Sequence, residues 1–421
     1  MRVFAELLLP TFLVHLTRAL LITTLPLFVR STLELSKVDV GIAVGAIGLG
    51  KVLSDVPAGY LLEKIGPRSL MIVCGLVACI SALLMMMVTV NRSFELVVFS
   101  MVLCGAGESV GVISRLATVS DEIPIEDRGR VSANLGGSLR IAMAVGPLIS
   151  GAIVTLSGSS IGVFLAQAIL SIFSVLAVLV VRKDTGLPAV SNINIQTAPV
   201  RHLTGKEILI SLFHISVFIL ALQLVRECRK LLIPLASFSA GMSVQDVSLV
   251  TSISFTIDAL LFPYAGRVMD GYGRVFTGIL SVSVMSLALL IVVPVTTFNM
   301  LLLFGILSGV GNGFSSGIIV AFGADMAPKD TSKSKFLGYF RLCADLGELV
   351  GPLVVGFVAQ FTSIPTMLNT TVTVGIVGCV WLMTFVPDIG WRKFETSDHP
   401  RPHAIRMREF GLDQQHSVPI R

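Results

Sequence analysis

Apolar runs long enough to cross a bilayer recur along the whole chain, and no other feature limits its fold so strongly. Roughly 20 residues of helix cross the ~30 Å hydrocarbon core, and a helix satisfies its own backbone there. Read as helices, the runs place spans near residues 5–29, 39–62, 69–90, 94–118, 131–155 and 161–182, then 207–236, 243–269, 275–297, 299–323, 335–360 and 364–387. That is twelve spans in two sets of six. Composition agrees, because 54% hydrophobic and 14% charged residues over 421 positions leave too little polar surface to coat a water-soluble globule. The expected fold is an all-α membrane protein with a six-helix bundle at 1–182, a polar linker at 183–206, a second six-helix bundle at 207–388 and a hydrophilic tail at 389–421.

Charge sets the topology. Lys64, Arg68, Arg128, Arg130, Arg182, Lys183, Arg201, Lys206, Arg274, Lys329, Lys333, Lys335, Arg392 and Lys393 fall in alternate loops and the tail, whereas the opposite loops hold mainly Arg30, Lys37 and Arg92. The positive-inside rule then puts both termini in the cytoplasm, with a plasma membrane or cell inner membrane as the expected location. Nothing at the amino terminus reads as a cleaved signal. The basic tail suits anionic lipid rather than nucleic acid. The six cysteines lie within spans at no metal-like spacing, so no metal or cofactor is expected.

The chain repeats itself. Gly59, Glu63 and Gly66 of "GYLLEKIGPR" recur as Gly266, Asp270 and Gly273 of "GRVMDGYGR" at a constant offset of 207 residues. "GAGES" at 105–109 aligns with "GVGNG" at 309–313, which sets Glu108 opposite Asn312; Asp121 and Asp325 follow at the same offset of 204. "GPLISG" at 146–151 aligns with "GPLVVG" at 351–356, and Arg18 precedes Pro26 as Arg226 precedes Pro234. An even number of spans per half makes these parallel repeats about an axis along the membrane normal.

On these residues the chain resembles the major facilitator superfamily, and within it the twelve-span drug:proton antiporter group. The superfamily's cytoplasmic signature, G-x-L-a-D-r-x-G-r-k, is matched by Gly59, Leu61, Glu63, Lys64, Gly66 and Arg68, and again by Gly266, Asp270, Gly273 and Arg274. Glu63 stands for the usual Asp and Pro67 for the usual Arg. Gly137, Gly146, Pro147 and Gly151 represent the antiporter motif of the fifth span, with looser spacing, while the fourth-span Arg is missing, Met101 standing four residues before Gly105. The resemblance implies a cytoplasmic latch in which Lys64 and Arg68 meet Asp121 or Glu122. From the residues themselves, Gly59 is expected to permit close helix approach, and Gly66 with Pro67 to make a tight turn.

Charges deep in a span need a partner or an aqueous cavity, since each costs ~2.5–3.5 kcal/mol even on the permissive insertion scale. Arg18, Glu108 and Arg226 lie near mid-membrane in the first, fourth and seventh spans, Asn312 at the matching depth in the tenth, Lys230 a turn above Arg226 and His15 a turn below Arg18. The resemblance implies that these four spans line a central cavity, so the five side chains Arg18, Glu108, Arg226, Lys230 and Asn312 are candidates for a substrate and proton pathway. Depth counting also makes Lys51 level with Asp345, Asp55 near Arg341, and Arg140 level with Asp258, three candidate pairs between the halves. A channel needs no such two-state pairs. An enzyme needs a nucleophile or metal cluster, and "GAGESVG" lies inside a span rather than between a strand and a helix. The expected function is a monomeric secondary transporter that exports a small organic solute against protons by alternating access; the alternative is a uniporter or proton symporter for an organic anion.

Overall fold

Ser36 and Ser243 begin corresponding helices in the same way. Each serine hydroxyl accepts the backbone N–H of an aspartate three residues on, at 3.2 Å, and that aspartate takes back the serine N–H, at 2.9 Å for Ser36 and 3.1 Å for Ser243. This reciprocal cap satisfies two of the donors every helix start leaves over. The computed structural model describes residues 2–123, 125–181, 205–291, 297–315, 317–326 and 333–386. Its helices are α1 (Arg2–Leu27, continued by a π-helical turn Phe28–Thr32), α2 (Lys37–Asn91), α3 (Phe94–Glu122), α4 (Ile125–Ser157), α5 (Ile161–Val181), α6 (Gly205–Ser239), α7 (Val244–Tyr272), α8 (Arg274–Ile291), α9 (Phe298–Ser315), α10 (Ile318–Met326), α11 (Lys333–Phe361) and α12 (Ile364–Phe385). Most of the linker predicted at 183–206 and all of the tail at 389–421 lie outside the described residues.

Among the described residues ten helices are long and apolar enough to cross a membrane. One of them, α2, has 55 residues and breaks at Gly66, whose φ of 75° and ψ of 168° no side chain adopts comfortably. Its repeat mate Gly273 has φ 91° and ψ 162° and separates α7 from α8. With the two arms of α2 counted apart and α6 added, whose mid-helix charges disguise its apolar length, the fold is consistent with twelve spans. The tenth is not the single helix expected, because Gly317 takes φ 84° between α9 and α10.

The repeat extends to individual atoms. A Cβ built on Gly105 would run into the Ile47 carbonyl, and one on Gly309 would lie 2.5 Å from the carbonyl of Ser254, the repeat mate of Ile47. A Cβ on Gly107 would meet Cys74 O at 3.3 Å and Ala78 N at 3.6 Å; on Gly311 it would meet the mates of those two, Ser281 O at 3.0 Å and Met285 N at 2.8 Å. The glycines of "GAGES" and "GVGNG" therefore let α3 lie directly on α2, and α9 on α7 and α8.

The halves meet along two seams, the first arm of α2 against α11 and α4 against α7. In the first, Gly41 abuts Pro352 O and Gly356 Cα, Gly45 abuts Leu349 O, and Lys37 donates to Gln360 Oε1 and Ala359 O at 3.1 Å each. In the second, Gly151 abuts Ser248. Arg30 reaches the ring of Phe238 at 5.2 Å between the ends of α1 and α6. All these contacts lie on the face opposite the one where α1 starts and α12 ends. Toward that terminal face, Gly59, Gly137 and Gly266 have nothing within 4 Å of a built Cβ. The close approach expected at Gly59 is thus corrected: among the described residues no atom lies near it, although one residue from Gly137 a Cβ on Gly136 would still meet Phe262 of the other half at 3.7 Å.

Candidate functional site

At mid-depth, where the α2/α11 seam changes from glycine to charge, Lys51 stands between two carboxylates. Its Nζ lies 3.0 Å from Glu108 Oε1 on α3 and 2.7 Å from Glu348 Oε2 on α11. Arg18 Nε of α1 takes the other oxygen of Glu108 at 3.1 Å. Two cations and two anions from four helices and both halves form one chain of ion pairs, and Lys51 is 6% exposed. In such surroundings the attraction exceeds its value in water, and so does the cost of losing a partner. The expected pairing of Lys51 with Asp345 is corrected. Lys51 reaches Glu348, a turn farther along α11, because its four-carbon stem carries the ammonium about one turn from its own Cα.

Nearer the terminal face, Arg341 Nε lies 3.6 Å from Asp55 Oδ1 and 3.4 Å from Asp345 Oδ2, so Asp345 pairs within its own helix. Asp55 also accepts a short hydrogen bond from Ser109 Oγ. Across the other seam Arg140 Nε is 4.0 Å from Asp258 Oδ1, while its guanidinium carbon sits 3.6 Å above the Phe262 ring. Asn312 donates from Nδ2 to Asp258 Oδ2 at 2.6 Å. That contact is the repeat mate of Lys51 with Glu108. Arg226 does not join Glu108: it donates to Gln223 Oε1 at 2.9 Å, Ser315 O at 2.9 Å and Ser315 Oγ at 2.7 Å. Lys230 pairs with Glu227 at 2.5 Å on the same helix. A small cavity between α1, α2 and α6 has Arg18, Glu227 and Lys230 in its wall, with Leu21, Ile22, Pro26, Val44 and Ile47. His15 is buried.

Of the two-copy motif, Glu63 is exposed, and Arg68 donates to the Leu179 carbonyl at 3.3 Å. In the second copy Arg274 closes on its own turn, 2.8 Å from Asp270 and 2.7 Å from the Met269 carbonyl. The side chains of Asp121 and Asp325 lie outside those described, as does any latch through them. Gly146 packs on Ala19 of α1, and Pro147 offers its carbonyl to Ser150 at 3.0 Å, so in this motif Gly151 alone of the glycines touches the opposite half.

Sequence reading missed Glu348, Glu227 and Arg229. All three were visible as charges in apolar spans, in "DLGELVG" and "RECRK", but none has a charged repeat mate, and the repeat had directed attention to matched positions. Arg229 donates to Ser254 Oγ at 2.7 Å and lies over Phe255.

The surroundings of Arg140 change what a charge exchange will do. With both signs exchanged between Arg140 and Asp258, a carboxylate would stand over the electron-rich face of Phe262. Asp258→Arg is expected to lower transport about tenfold or more by leaving Arg140 facing a like charge, and the double exchange is expected to recover little, measured as initial rates at equal membrane expression. Full recovery would show that Phe262 does not hold Arg140.

Two repeated helical halves, ion-paired across a seam at membrane depth, define a polytopic membrane protein of two pseudo-symmetric bundles. The sequence matches the family model of the Major Facilitator Superfamily at residues 7–226 and 208–409. It is 30% identical over 182 residues to the staphyloferrin B transporter of Staphylococcus aureus, covering 42% of each chain. It is 33% identical over 109 residues to Multidrug resistance protein 2 of Bacillus subtilis, covering 26% of this chain and 27% of that protein. The matched stretches thus span less than half of these relatives. The crystal structure of a D-xylose-proton symporter superposes with a TM-score of 0.72 at 14% identity, covering 92% of this chain and 98% of that one, which shows a shared fold. The chain belongs to the Major Facilitator Superfamily. It is an integral, multi-pass membrane protein of that transporter family.

Proposed function

We propose that this transporter exports a small organic solute in exchange for protons by alternating access, as a monomer with both termini in the cytoplasm. The observation that carries the reading is the position of Lys51, whose ammonium is shared by Glu108 of its own half and Glu348 of the other. Protonating either acid removes one anion from a chain of pairs that spans the seam, so proton binding and the contact between halves draw on the same interactions. The close backbone packing between the halves on the face opposite the termini supports the second requirement, a seam that can close the pathway on one side. The loops rich in Lys and Arg on the terminal face support the orientation, and the glycines and proline of the fifth span support the antiport direction.

Glu108→Gln tests the coupling. In proteoliposomes the variant is expected to lose solute accumulation driven by an imposed pH gradient while retaining solute exchange at equal pH on both sides. Gradient-driven accumulation at the parent rate would remove Glu108 from the mechanism, and with it the link between protons and the Lys51 pairs.

A further inference from the structure

Resting on the transport reading above, we infer that Arg226 is the docking point for an oxyanion, a carboxylate or a phosphate, carried by the transported solute. The internal repeat provides the template. In the first half Arg18 meets the carboxylate of Glu108 at 3.1 Å, and Glu108 also holds Lys51 at 3.0 Å. The same three places in the second half hold Arg226, Asn312 and Asp258. There the acid has moved from the α9 position to α7, and Asn312 directs its amide to that acid at 2.6 Å. Arg226 has kept its guanidinium and lost the carboxylate that its mate possesses.

What surrounds Arg226 fits a group held ready. Its acceptors are all neutral, Gln223 Oε1, Ser315 O and Ser315 Oγ, and they fix the plane of the fork. Its Nε is buried and has no acceptor. A guanidinium presents five donors in a rigid array that matches carboxylate or phosphate two bonds at a time. Arg229, one turn along, differs: it is 2% exposed, bonded to Ser254 and covered by Phe255. Arg226 is part-buried in the middle of α6, so an arriving oxyanion would take the unpartnered Nε and compete for the terminal nitrogens with neutral acceptors.

Benzoate, phenyl phosphate and the neutral isostere benzamide separate charge from shape. Binding of each to the full chain in lipid nanodiscs is read directly with labelled ligand and as a shift of the unfolding midpoint. At least one anion is expected to bind and benzamide not to. Arg226→Gln is expected to weaken the anion about 10- to 100-fold, the range for one lost charge-assisted contact, and Arg226→Lys to weaken it less while leaving the fold in place. Benzoate binding alone assigns a carboxylate, and phenyl phosphate binding alone a phosphate. Failure of both anions to bind, equal binding of benzamide, or anion binding undiminished in both Arg226 variants overturns the proposal. Counterflow of the bound anion in proteoliposomes keeps the two readings apart: an anion that binds through Arg226 and does not exchange leaves the docking point standing and defeats the transport reading.

Discussion

Lys51→Met is expected to destabilise the protein by about 3–5 kcal/mol and to abolish transport, the cost of removing one partner from a buried ion pair. Methionine fills much of the space of the lysine stem, so the loss is electrostatic rather than a cavity. Glu108 retains Arg18 at 3.1 Å, but Glu348 has Lys51 as its ion-pair partner at 2.7 Å and is left with its charge at membrane depth. Adding Glu348→Gln to Lys51→Met removes that stranded charge and is expected to return a large part of the stability without returning transport. The unfolding midpoint and the monodisperse yield of the single and double variants measure the first effect, and counterflow measures the second. A double variant no more stable than Lys51→Met would show that Glu348 is held by groups other than Lys51.

Gly105→Val and Gly309→Val are expected to prevent folding altogether, an effect of at least ~4 kcal/mol of the kind reserved for overpacked cores. In both, the new Cβ meets a backbone carbonyl in the middle of a packed helix, Ile47 in one half and Ser254 in the other, and a carbonyl cannot turn aside as a side-chain end can. Gly59→Ala and Gly266→Ala are the contrast. Neither meets an atom within 4 Å, and each exchanges a poor helix former for the best one, a change worth up to ~1 kcal/mol. Expression as a monodisperse species separates the two groups. A well-folded Gly105→Val chain would refute the packing just described.

The residues readable in advance were those whose role is fixed by the backbone. Gly66 was legible as a turn because only glycine takes its φ comfortably, and the glycines of "GAGES" and "GVGNG" because small residues inside a span permit a close crossing. Depth counting also brought Asp55 near Arg341 and Arg140 near Asp258. It failed for Lys51, since counting treats a side chain as a point at its Cα while a lysine reaches a full turn. Gly59 was misread for a different reason: a glycine marks a helix crossing only where a second helix lies against it, and among the described residues nothing stands within 4 Å of a Cβ built there. The break at Gly317 was hidden because one glycine in an apolar run is common in unbroken spans.

The glycine ladder of Gly41, Gly45 and Gly48 against Leu349, Pro352 and Gly356 bears on speed as well as on closure. Where side chains interlock, two surfaces part only after many rotamers have been re-sorted, and each must be ordered again on return. Here backbone lies on backbone, with few long side chains in the joint. Such surfaces separate and meet again as smooth rails do, so the chain can cycle through this closure many times with a low barrier, and any bulky residue placed on the ladder acts as a wedge that holds the far side open.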